Sequence, residues 1–167
     1  HGNRDVVESI LAKAGGNPLF IEEVVRSIRE DGSLVPFAVP DTIHGIISSR
    51  VDRLDDVLKS VLQAASAIGR DSPLALLERV VPPEVNLKGC LDELAQREFV
   101  RVSAEASELR YTFKHKLFQE VIYNSLLSKR RQELHSLIAR SMEDLYAGQL
   151  EDWAELLAHH YMSSGDL

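Results

Sequence analysis

The sequence predicts a mainly α protein with one β-hairpin just past its midpoint. Apolar residues recur every three or four positions through most of the 167 residues, which is the spacing that lines one face of a helix. Between residues 99 and 113 the pattern changes to alternation, which lines one face of a strand. Glycine and proline punctuate most of the junctions between runs.

Residues 5–14 form the first predicted helix, with Val6, Val7, Ile10 and Leu11 on one face and Gly15 as its C-terminal stop. Asn17 suits an N-cap. Pro18 suits the first helical position, where its missing N–H would have no partner anyway. Phe20, Ile21, Val24, Val25 and Ile28 then give a clear helical stripe ending near Asp31-Gly32. "SLVPFAVP" (33–40) has two prolines and no period, and is expected to be an extended connector. Asp41 or Thr42 caps the next helix, whose stripe is Ile43, Ile46, Ile47, Val51 and Leu54.

Asp55-Asp56 opens a helix with Val57, Leu58, Val61, Leu62, Ala65 and Ile68 inward and Gly69 as its stop. Ser72-Pro73 repeats the cap-plus-proline signal for a short helix to about Val81, broken by Pro82-Pro83. Asn86 to Glu98 is helical, with Leu87, Cys90, Leu91 and Leu94 expected in the core. "FVRVS" (99–103) and "LRYTF" (109–113) are the two hairpin strands. Helical pattern resumes over 116–127, 129–146 and 153–163.

Three helices followed by a two-stranded hairpin is the order of a winged helix, a helix-turn-helix with an appended β-ribbon. The chain therefore divides into a helical subdomain (1–54), a winged helix (55–115) and a helical region (116–167) whose helices are repeat-like. It starts "HGNRDVV" without an initiator Met and stops at "SSGDL", so it reads as a piece of something longer.

Lys+Arg 19 against Asp+Glu 26 leaves a net charge of −7. That argues against a general nucleic-acid binder, which needs a basic surface for phosphates. The predicted reading helix, "NLKGCLDELAQREF", sets Lys88 and Arg97 against Asp92, Glu93 and Glu98, and the wing adds Glu105 and Glu108. A DNA-binding winged helix is thus the runner-up reading, behind packing against another protein domain. The single cysteine, Cys90, reads as a small buried residue of a reduced compartment. The first residues are not a signal peptide, and no apolar run approaches the roughly 20 residues of a membrane span.

Few residues advertise chemistry. No GxxxxGK[ST] phosphate loop occurs, so the chain by itself cannot cradle a nucleoside triphosphate. No catalytic constellation has local support. His159 and His160 are adjacent, hence about 100° apart on a helix, and His135 and His44 stand alone; no metal site is expected. Lys129, Arg130, Arg131 and Arg140 concentrate positive charge at a helix start. They form either a solvated face or a place for a partner carboxylate or phosphate. His115 stands at a strand-to-helix junction, where free N–H groups favour anions. A ligand role and a capping or packing role both remain open for it.

"GGNPLFIEEVVRSI", "VPDTIHGIISSRVDRL", "LQAASAIGRDSPLALLE", "LDELAQREFV" and "YTFKHKLFQEVIYNSLLSKRRQELH" together resemble, in this order, bacterial signal-transduction ATPases with numerous domains. These are often joined to adenylate/guanylate cyclase or transcription-factor modules. The resemblance covers about residues 5–165. It implies a cytoplasmic regulatory segment, itself non-catalytic, that follows a P-loop ATPase domain and leads into a tetratricopeptide-like array. Residues 1–54 would be a helical lid, in which Gly16, Asn17 and Pro18 match a Gly-x-Pro motif whose proline packs on the adenine of ADP or ATP. His115 would match the histidine of a Met-His-Asp motif that contacts the ADP phosphate. Lys114 and Lys116 replace that motif's Met and Asp. "DWAELLAHHYMSSGD" would begin the array and, lacking its stacked neighbour, would fray or borrow another surface. A nucleotide-independent interaction scaffold, using apolar residues around Trp153 and Tyr161, is the third reading.

Overall fold

The structure of the protein is a computed structural model that describes residues 2–32 and 39–165. The expected connector lies mostly outside the described residues. Within them the chain is mainly helical with one small antiparallel sheet, and it divides into two compact units, His1–Leu54 and Asp55–Leu167.

The first unit holds α1 (Gly2–Ala14), α2 (Pro18–Asp31) and α3 (Ile43–Asp52). Asn17 caps α2 by accepting a hydrogen bond from the Leu19 N–H at 3.1 Å, with Pro18 at the first helical position. Gly32 ends α2 in the left-handed region, φ 62°, a conformation that costs glycine nothing. Thr42, not Asp41, caps α3, its hydroxyl accepting from the Gly45 N–H at 3.1 Å. Ala14, Phe20, Val24 and Ile46 form the core, with Ile10, Ile21, Ile28, Val39 and Ile43 packed around them. Val7, Leu11 and Val25, expected inward, are exposed. Val6 and Val7 lie about 100° apart on a helix, so one contact stripe cannot bury both.

The second unit holds α4 (Asp56–Ile68), β1 (Asp71–Pro73), α5 (Leu74–Val80), α6 (Leu87–Gln96), β2 (Val100–Glu105), β3 (Glu108–Phe113), α7 (Lys116–Ser125), α8 (Ser128–Leu145) and α9 (Ala154–Ser164). Every residue of α4 from Ala64 to Ile68 is buried, because α5, α6, α7 and α8 all pack on it. Val57, expected inward, is exposed in its first turn. Phe99, Val100, Tyr111, Phe113, Phe118 and Ile122 fill the space between sheet and helices, with Phe99 edge-on to Phe118 at 5.8 Å.

The sheet has three strands, not two, in the order β1-β3-β2. Asp71, Ser72 and Pro73 pair with Thr112, Tyr111 and Arg110. Ser72 is therefore a buried strand residue and not a cap; α5 starts at Leu74 with no side-chain cap. Three residues are too few to show alternation, and proline is tolerated on an edge strand. The β2–β3 turn places Ala106 and Ser107 at positive φ, the geometry that matches the strand twist in a two-residue loop.

Cys90 is half-buried instead of buried. Burial, then the carboxylates of Asp55 and Glu93, push its thiol pKa up, the opposite of what activates a nucleophile. α9 is continuous to Ser164, with Gly165 at φ 77° as its left-handed stop, and packs along α8. In that contact α9 buries His160 and Ser164. Trp153 is stacked on Tyr146 at 4.3 Å and half-buried, so it is not the open apolar surface expected. Among the described residues no helix is long and apolar enough to cross a membrane.

Candidate functional site

The residues singled out in the sequence lie in different units, Gly16, Asn17 and Pro18 in the first and His115 in the second. In the first, the α1–α2 corner is built from two consecutive left-handed glycines, Gly15 at φ 53° and Gly16 at φ 82°. The Asn17 N–H closes the turn on the Ala14 carbonyl at 2.8 Å. All four residues from Gly15 to Pro18 are exposed. A side chain added at either glycine would meet nothing within 4 Å, so open space adjoins this backbone.

His115 occupies the N-cap position of α7 with extended backbone, and its side chain makes no capping bond. The ring stacks on Phe118, centroids 6.0 Å apart. Its Nε2 is buried and has no hydrogen-bond partner. Buried ring nitrogens are normally satisfied, so this atom is the least explained polar group of the junction. The two flanking lysines are engaged elsewhere: Lys114 donates to Glu98 at 2.7 Å, and Lys116 lies 3.4 Å from Glu120 on the exposed side of α7.

The basic start of α8 is partly structural. Arg131 donates to the Leu126 carbonyl at 2.9 Å and lies over the Tyr123 ring, while Arg130 pairs with Glu133. On α6, Arg97 is paired with Glu93 at 2.6 Å, and Lys88 and Asp92 share the exposed side.

Two buried polar groups escaped the sequence reading. In the first unit Arg50, 1 % exposed, meets the buried Glu23 through Nη1 and holds Glu30 with two bonds, 2.8 and 3.3 Å. Its signal was positional: Arg50 follows Ile46 and Ile47 by four and three residues, on their own buried stripe.

In the second unit His135, expected to be isolated, meets the α9 histidines. Its Nδ1 is 2.8 Å from Nδ1 of His160, and its Nε2 is 2.8 Å from the Tyr123 hydroxyl. Both rings are fully buried, whereas His159 is exposed. Burial, then the neighbouring His159 and Arg131, lower the His135 pKa to about 4. Burial, then His135 and His159, lower that of His160 to about 3. Both imidazoles are thus neutral near pH 7. The missed signal was again the stripe: His135 shares the spacing of Ile138, Ala139 and Met142, which places it on the buried face of α8.

No protein-family model matches the chain. It is similar to an uncharacterized protein of Rhizobium meliloti (strain 1021), 29% identical over 147 residues. That alignment covers 78% of this chain and 14% of the relative, so the chain spans about a seventh of the relative's length.

Proposed function

We propose that this chain is the non-catalytic regulatory segment of a larger, cytoplasmic, nucleotide-dependent signalling ATPase. In this reading residues 1–54 are a helical lid, the helices and sheet around residues 55–115 are a winged helix, and 116–167 lead into a helical repeat array. The lid and winged helix close over ADP or ATP gripped by a preceding P-loop domain, and exchange of nucleotide opens them. A phosphate would thereby favour one of two domain arrangements through differential contacts.

The observation that carries the reading is His115, whose buried Nε2 lacks a partner at the start of a helix. A phosphate oxygen would supply that partner and would also be favoured by the helix N-terminus. The exposed Gly16-Asn17-Pro18 corner supports it, since open space adjoins its glycine and its proline is exposed. Lys116 stands where the motif carries its acid and pairs with Glu120, so a carboxylate-dependent step has no group at that position.

The test is His115→Ala in the full-length parent. A hydrogen bond to a charged group contributes about 1.5–3 kcal/mol, so ADP release should accelerate by roughly tenfold or more. An ADP off-rate equal to that of the wild type would remove His115 from the site. The scaffold reading is favoured by Leu127 and Met162, 79% and 66% exposed. Absence of a phosphate loop upstream of His1 would select it.

A further inference from the structure

The α8–α9 contact carries a group of side chains that the nucleotide reading does not use. One ring nitrogen from each of His135, His159 and His160 falls within 4.8 Å of the others. We propose that these three histidines form a site for one divalent transition-metal ion of the zinc type, clasping α9 to α8.

Ligand chemistry favours this class of ion. Three imidazoles, without thiolates, suit zinc and its late first-row neighbours and not calcium or magnesium, which take oxygen ligands. Metal binding requires neutral imidazole, and burial already holds His135 and His160 in that form at pH 7. The two Nδ1 atoms face one another at 2.8 Å, so the N–H of one ring donates to the lone pair of the other. With zinc–nitrogen bonds of about 2.0–2.1 Å and tetrahedral angles, the two nitrogens need to be about 3.3–3.4 Å apart. The rings therefore open by only about half an ångström as the ion takes the proton's place.

One ligand, His135, already has an outer partner, whereas the His160 Nε2 is buried without one. With His135 Nδ1 on the ion, its Nε2 carries the hydrogen and donates to the Tyr123 hydroxyl 2.8 Å away. Such an outer partner fixes the tautomer and orientation of a ligating histidine. His159, the exposed member, gives the ion access from solvent, and a water can fill a fourth position. His159 and His160 are adjacent on α9, the third ligand comes from a different helix, and the three rings form a nearly equilateral triangle. The His159 and His160 ring centroids are 5.2 Å apart, and His135 is 5.0 Å from His160 and 5.7 Å from His159.

The experiment uses the 167-residue chain, stripped with EDTA and titrated with zinc chloride at pH 7.5 by calorimetry, with thermal melting alongside. The expected result is one ion per chain and a rise in Tm at saturating zinc, since an ion that binds only the folded chain stabilises it by mass action. His159→Ala removes an exposed ligand without disturbing the core, so it should fold as the wild type does. It should bind zinc at least tenfold more weakly and lose the Tm rise. His44→Ala, outside the cluster, should bind as the wild type does. No one-to-one binding by the wild type, or equal binding by His159→Ala, overturns the site.

Discussion

Among the described residues Arg50 is one of the largest fully buried side chains, and its neighbours show why its charge is tolerated. Glu23 and Glu30 occupy the guanidinium on both edges, but the second oxygen of Glu23, Oε1, is buried without a partner. Replacing only the cation strands an acid in the core, which costs about 3–5 kcal/mol in comparable cases. Arg50→Met is therefore expected to lower the unfolding free energy by that amount in urea melts. Adding Glu23→Leu to Arg50→Met should recover most of the loss, because the pair is then replaced by apolar groups of similar size. A double variant no more stable than the single would mean that packing around the guanidinium, not charge pairing, dominates.

At the scale of the element, α6 ends in a way its composition did not announce. The Glu98 N–H bonds to the Ala95 carbonyl at 3.0 Å and the Phe99 N–H to the Leu94 carbonyl at 2.9 Å. This is the paired bonding of a Schellman cap, with Glu98 at φ 58° in the place usually held by glycine. A non-glycine residue there costs about 1–2 kcal/mol, offset in part by the Lys114 ion pair, with Lys114 itself mostly buried. Glu98→Gly should raise stability slightly, by up to about 1 kcal/mol, since a half-exposed pair returns less than the strain it accompanies. Glu98→Val, which adds β-branching to the strain, should lower it by more than 1 kcal/mol. Equal Tm values for the two variants would show that the cap geometry is not strained. Periodicity predicts the end of this helix near residue 98, and the hydrogen bonds show how it ends.

At the scale of the whole molecule, what the sequence made legible was what local physics decides. Helix positions followed from apolar spacing, and the Asn17-Pro18 start and Gly32 stop followed from cap chemistry. The hairpin followed from alternation, but β1 did not, because its pairing with β3 joins residues about 40 positions apart. The same limit hid Arg50 with Glu23 and His135 with His160. Each is a polar residue on an apolar stripe, and its partner is set only when two helices dock. His115 was visible as a junction residue, yet its unpartnered nitrogen belongs to the packing of Phe118 and the sheet against α7.

That docking makes the stability of the second unit depend on acid in a definite direction. In metal-free protein His135 and His160 ionise near pH 4 and 3, against about 6.5 in an unfolded chain. Above pH 6.5 both states carry neutral rings, and the full stability is present. Below it the unfolded chain binds the extra protons, so stability falls as pH drops from about 6.5 towards 4. Each additional proton gives a slope of about 1.4 kcal/mol per pH unit. Because the rings share one hydrogen bond, His135→Gln with His160→Gln should remove the dependence of both at once, at some cost in stability at pH 7. Urea midpoints measured in EDTA at pH 7.5, 6.5, 5.8 and 5.2 should decline for the wild type and stay nearly level for the double variant. These points stop short of the range in which most carboxylates titrate. Parallel profiles for the two proteins would mean that the α8–α9 histidines accept protons in the folded state as readily as they do in water.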